Sequence, residues 1–171
     1  MTTRFRRAVA AAALTAASLT GTVALATPAW AADTTRVSFG NLIVSGDAAN
    51  NNIRFTREAN GAVVMTDTNA AVTAGPGCTQ VSQNTVRCVG VENLNVNGRD
   101  GNDVIDNDTG SDGGNSNTGL TGTLNGGAGT DRLLGSTGRD ELLGGTGGGD
   151  RATGGPGVDI CNAEIESSCE E

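Results

Sequence analysis

The 171-residue chain contains no histidine and no tyrosine, and all 11 of its basic residues are arginine, so it also lacks lysine. The missing histidine excludes an imidazole base, a histidine-based catalytic triad and a histidine metal ligand. The missing lysine excludes Schiff-base chemistry and the phosphate-binding lysine of a nucleotide loop. Aromatic residues make up 2% of the chain, too few to build stacking platforms for bases or sugars. A formal charge of −8 and a pI near 4.4 argue against nucleic acid and anionic membranes as partners. An acidic chain with 27 glycines remains, and such a chain favours cations.

The start of the chain reads as an address. Arg4, Arg6 and Arg7 precede an alanine-rich apolar run from Ala8 to Ala26, and Ala29-Trp30-Ala31 fits a small-x-small cleavage rule. Residues 1–31 are therefore expected to be a cleaved secretory signal, leaving 140 of the 171 residues. The product would carry 19 acids against 8 arginines, a net −11, and would be released outside the cell. No pore-forming or amphipathic segment is visible, so no membrane insertion is expected.

The remainder divides at residue 98. Residues 32–97 carry 5 acids and 4 arginines, whereas 98–171 carry 14 acids, 4 arginines and 20 of the 27 glycines. In the first part, Leu42-Ile43-Val44, Ile53 to Thr56, Ala62 to Met65 and Leu94-Asn95-Val96 are short apolar or β-branched runs. Gly, Asn and Asp turns separate them, which predicts strands. No apolar stripe of helical period occurs. The expected class is all-β with a thin core, because so few large apolar residues cannot fill a thick one.

The second part repeats itself. Gly126 opens Gly-Gly-Ala-Gly-Thr-Asp-Arg-Leu-Leu, and Gly135 opens Gly-Ser-Thr-Gly-Arg-Asp-Glu-Leu-Leu. Gly145 opens a third copy after one extra residue at Gly144, and Gly154 opens Gly-Gly-Pro-Gly-Val-Asp-Ile-Cys-Asn. An isolated copy begins at Gly98, and a degenerate one at Gly46 would place Asn51 in the aspartate position. Glycine recurs where the backbone must turn tightly or take a positive φ. Such turns aim carbonyl oxygens inward, and the aspartate at position six adds charge. Oxygens of these two kinds suit calcium, which takes six to eight of them in flexible geometry. Position eight is the apolar site that points into the core: Ile105, Leu133, Leu142, Ala152 and Cys161.

The template Gly-Gly-x-Gly-x-Asp-x-apolar-x resembles the RTX, or haemolysin-type, calcium-binding nonapeptide repeat family of bacteria. The resemblance covers 126–162 and 98–106. It implies a right-handed parallel β-roll, a form of β-solenoid, with two nonapeptides to each coil and calcium between stacked turns. Carried onto this chain, Asp131 stacks on Asp150 and Asp140 on Asp159, with Asp100 and Asp103 in a copy that has no close neighbour along the chain. Gly127, Gly129, Gly138 and Gly157 are the turn residues expected to contribute beside them. The cofactor implied is Ca2+, and folding of this part is expected to depend on it, because the acids repel one another without it. Asp33 and Asp67 lie outside the repeats and count only as generic acids.

Cys78, Cys88, Cys161 and Cys169 are even in number in a chain expected to be secreted, so disulfides are expected. Three pairings are open. The nearest-neighbour set, Cys78–Cys88 with Cys161–Cys169, closes two short loops and is the one favoured here. The expected function is a structural or stabilising calcium-binding protein and not an enzyme, since the acids cluster at repeat turns and no aromatic subsites exist. The alternative is a calcium-dependent module that adheres to the cell surface or matrix. The sequence names no protein or cell-envelope partner.

Overall fold

The computed structural model describes residues 32–110 and 119–170; the expected signal segment lies outside them. The described residues hold fifteen strands and no helix. They are β1 (Asp33–Ser38), β2 (Asn41–Ser45), β3 (Asn52–Arg57), β4 (Val63–Asp67), β5 (Val72–Ala74), β6 (Cys78–Ser82), β7 (Thr85–Cys88) and β8 (Asn93–Asp100). Then follow β9 (Val104–Asp108), β10 (Thr121–Gly129), β11 (Arg132–Leu134), β12 (Asp140–Gly147), β13 (Arg151–Thr153), β14 (Ile160–Asn162) and β15 (Ile165–Ser167).

The strands form two mixed sheets. One has the order β14-β12-β10-β8-β2-β1-β5, the other β15-β13-β11-β9-β3-β4-β7-β6. From β8 onward the chain passes to the opposite sheet with every strand. The pairs so formed are all parallel, from β2–β8 to β12–β14 in the first sheet and from β3–β9 to β13–β15 in the second. Antiparallel pairing is confined to the N-terminal part: β1–β2, β3–β4, β4–β7 and β6–β7. Strand β8 crosses residue 98 and pairs with β2 on one side and β10 on the other, so the two compositionally distinct parts share both sheets.

Register explains the thin core. Side chains alternate between the two faces of a strand, so one residue in two points inward. In the first sheet Val44, Val96, Leu124, Leu142 and Cys161 fall in one file across five strands. In the second, Ile53, Ile105, Leu133 and Ala152 do the same. The two files meet in a single hydrophobic cluster, with Cys161 at its margin. The position-eight residues thus occupy the inward site. Each fully buried Leu, Ile or Val contributes about 1.5–3 kcal/mol, and each further strand pair adds about two such residues. Towards the N-terminus Phe55, Met65 and Val86 widen the core. The Cys78–Cys88 disulfide fastens β6 to β7 there, and Cys161–Cys169 ties β14 to the tail beyond β15.

Candidate metal centre

The aspartate at position six sits where the chain leaves a turn and enters a strand, and there it is buried. Asp103, Asp131, Asp140, Asp150 and Asp159 are each no more than 2% exposed. The carboxylates of Asp103, Asp131 and Asp150 form a ladder along one edge of the sheets. The main-chain N–H of Asn51 donates to Asp103 Oδ1 at 2.7 Å, that of Asp103 to Asp131 Oδ1 at 2.7 Å, and that of Asp131 to Asp150 Oδ1 at 2.8 Å. The N–H of Asp150 donates in turn to Glu164 Oε2 at 3.0 Å. A shorter ladder runs along the other edge, where Asp140 N–H donates to Asp159 Oδ1 at 2.8 Å and Asp159 N–H to Glu170 Oε2 at 2.6 Å. Strand β10 brings Gly122 to the rung before Asp140, so no carboxylate precedes it, and the Asn107 amide donates to Asp140 Oδ1 instead.

The first glycine of each repeat makes room for the carboxylate. A Cβ on Gly126 would stand 2.3 Å from Asp131 Oδ2, and one on Gly98 would stand 2.2 Å from Asp103 Oδ2. The second glycine answers to a different constraint. Gly127 has φ +113°, and a Cβ there would lie 1.9 Å from the Arg99 carbonyl oxygen one rung away. Gly129, Gly138 and Gly157 are likewise pressed against main-chain carbonyls, those of Gly101, Gly119 and Gly138.

Burial without counter-charge raises the acids. Desolvation lifts Asp103 to about 6, and the charges acting on it, Asp131 and Asp67, are both negative. Asp131, Asp140 and Asp159 are also raised, chiefly by desolvation, and feel the negative charges of Asp150, Asp159 and Glu170 respectively. Hydrogen bonds from the ladder N–H groups oppose the shift. On Asp103, Asp131 and Asp159 they occupy one oxygen only, whereas both oxygens of Asp140 are engaged, Oδ1 by the Asn107 amide and Oδ2 by the Ser136 N–H and hydroxyl. Oδ2 of Asp103, Asp131 and Asp159 is buried with no hydrogen-bond partner, as is Oδ1 of Asn51. Among the described residues, no three acidic or cysteine side chains converge on one point. A cation here would draw on one or two carboxylates and on main-chain or water oxygens.

The structure places the expected pairs next to each other: Asp131 beside Asp150 and Asp140 beside Asp159. It also corrects three expectations. Asp103 has a close neighbour after all, because β9 pairs with β11 and carries it to Asp131 across 28 residues of chain. Asp100 stands apart, exposed at the end of β8. The extra residue of the third repeat is not Gly144, which pairs in register with Gly126 and packs against Asp150 as Gly126 does against Asp131. Gly145 and Gly147 then pair with Gly127 and Gly129, so the insertion falls at Gly148–Gly149, where a Cβ on Gly148 would meet nothing within 4 Å. The surplus residue bulges into open space and both ladders keep their register.

Sequence reasoning missed Glu164 and Glu170, which end the ladders outside any repeat, and the pair Asp33 and Asp67. Those two are fully buried. Desolvation and the Asp67 carboxyl raise Asp33 to about 8. The signal for Asn51 was the degenerate copy at Gly46; glutamates that terminate a ladder leave no spacing to read.

No protein-family model, no curated protein and no solved structure matches the chain.

Proposed function

We propose that the chain is a calcium-binding structural protein of the extracellular space, and that its Gly-Gly-x-Gly-x-Asp turns hold the ion. The observation that carries this reading is that Asp103, Asp131 and Asp159, buried in the ladders, each keep a second oxygen with no donor. Stacked one strand pair apart in a region without counter-charge, they require protons or cations. The donors are oxygens alone, which suits a hard ion such as calcium. Asp103, Asp131, Asp150, Asp140 and Asp159 are the side chains that would hold it, with turn carbonyls beside them. The ion would supply positive charge. Asp103, Asp131, Asp150 and Asp159 themselves supply the latch, since the carboxylate of each fixes the N–H of the preceding rung.

The architecture we propose for 93–170 is the right-handed parallel β-roll. The strict alternation of strands between two sheets and the uniform parallel pairing support it. Two disulfides and no free cysteine among the described residues fit an oxidising compartment, as secretion requires. The role is structural: occupied turns would hold the C-terminal rungs together, and no catalytic function is proposed.

Circular dichroism of the protein during a calcium titration, with and without chelator, tests this. Strand signal should grow as calcium rises through the range of extracellular modules, about 10⁻⁴–10⁻³ M. An unchanged spectrum up to about 10 mM, roughly tenfold beyond that range, overturns it.

A further inference from the structure

Asp33 opens β1 in one sheet and Asp67 closes β4 in the other, and neither belongs to a repeat. Both side chains are fully buried. One oxygen of each is engaged. Asp33 Oδ1 accepts the Asp47 N–H at 3.1 Å, and Asp67 Oδ1 accepts the N–H groups of Asn52 (3.1 Å), Asn69 (2.6 Å) and Ala70 (3.1 Å). The Asp33 N–H donates to the Ala71 carbonyl at 2.9 Å, which holds the segment after Asp67 against β1. The Asp67 carboxyl is close enough to act on Asp33 both as a side-chain neighbour and as a negative charge. Nevertheless, Oδ2 of each is buried with no partner. The nearby charge is again negative, from Asp47.

We propose that Asp33 and Asp67 bind a divalent cation, calcium in an extracellular setting, through their Oδ2 atoms at a site separate from the repeat turns. A proton on Asp33 would still leave negative charge buried beside Asp47, whereas a divalent ion neutralises both carboxylates. An open cleft of 610 Å³ is lined by Asp47, Thr68, Asn69, Ala71 and Asn84 among others, which include residues that hydrogen-bond Asp33 and Asp67. Calcium accepts a mixed shell of carboxylate, carbonyl and water oxygens. The ion would bridge the two sheets at the N-terminal end of the long carboxylate ladder. The site does not rest on calcium at the repeats.

The test is equilibrium dialysis with radioactive calcium on three proteins: wild type, Asp33→Asn with Asp67→Asn, and Asp131→Asn with Asp159→Asn. Asparagine keeps the size and the Oδ1 acceptor and removes the charge. The first variant should bind one calcium fewer per chain, and the second should retain that ion. If the repeats bind none, the second variant equals wild type while the first still loses one ion, which separates the two proposals. Equal calcium binding by wild type and the Asp33/Asp67 variant overturns this one. Should that variant fail to fold, hydrogen exchange on wild type decides. At free calcium tenfold above Kd, opening-limited exchange of the Asp47, Asn69 and Ala70 amides should slow about tenfold. Unchanged exchange at those three amides overturns the proposal.

Discussion

Asp131 donates its main-chain N–H to Asp150 Oδ1 at 2.8 Å, across 19 residues of chain. A one-residue insertion lies between them, yet the bond is within 0.1 Å of the 2.7 Å between Asp103 and Asp131. The ladder is therefore set by stacking of strands and not by spacing along the chain. Each carboxylate satisfies a buried N–H that would otherwise cost about 1–3 kcal/mol.

Removing a rung should separate its two roles. Asp131→Ala leaves the Asp103 N–H without its acceptor and should destabilise the protein by about 1–3 kcal/mol in chelator. Asp131→Asn keeps an acceptor and removes a buried charge, so its chelator stability should equal or exceed that of wild type. Both variants should weaken calcium binding, whereas Glu141→Gln, on the exposed face of β12, should not. Urea unfolding and calorimetric titration read the two effects. Equal calcium affinity in all three variants would reduce the ladder to generic charge attraction.

Glycine substitutions should divide sharply. Gly126→Ala places a methyl 2.3 Å from Asp131 Oδ2 and must push the carboxylate out of its seat. A loss of about 1–3 kcal/mol is expected, in line with overpacking. Gly148→Ala meets open space and should stay within about 0.5 kcal/mol of wild type. Denaturant midpoints in the presence of calcium check this; a neutral Gly126→Ala would mean that the carboxylate is free to move.

Stability without calcium should fall as pH rises. The folded state raises Asp103 to about 6 and Asp33 to about 8, above the ordinary 3.8. Folding thus favours their protonated forms. Their contribution is complete below about pH 3.8 and is lost as pH climbs through about 6 and then about 8. The melting temperature in chelator should drop between about pH 4 and about pH 8, the window those two groups span. Saturating calcium should flatten the drop, because the ion takes the place of the proton. A melting temperature that rises across this window in chelator would show the buried acids to be stabilised as charged groups.

The disulfides should matter on different scales of structure. Each closes a short loop and contributes about 2.5–3 kcal/mol on the chain-entropy account. Cys78→Ser with Cys88→Ser loosens a hairpin next to the widest part of the core. Cys161→Ser with Cys169→Ser frees the tail from β14, and Ile160 in β14 and Ile165 in β15 are already exposed. Loss of the second bond should therefore fray the terminal strands first. Hydrogen exchange should rise at Ile160–Ser167 before it rises at Leu133; uniform acceleration would contradict this.

Much of this molecule is local and so was legible in advance. The strand runs around Leu42, Ile53, Met65 and Leu94, the inward residues at position eight and both disulfide pairs follow from alternation, turn residues and short loops. Strands β1, β5 and β6 were missed, since Thr34, Thr73 and Thr79 stand in polar segments without an alternating apolar pattern, and β7 was missed although Val86 and Cys88 alternate with Thr85 and Arg87. They are strands because a neighbour pairs with them.

What the sequence by itself determined is the period. Glycine at the turns, aspartate before each strand and one apolar residue after it dictate an all-β chain with a thin core and an acidic edge, because steric limits and charge act on adjacent residues. The tertiary structure alone decided which acids meet beyond the pairs one repeat period apart. Asn51, Asp103 and Asp131 join one ladder across 52 and 28 residues, the insertion at Gly148 leaves it unbroken, and Asp33 closes on Asp67 between two sheets. Those contacts depend on strand pairing between distant segments, which buries carboxylates beside one another, and no local rule contains that distance.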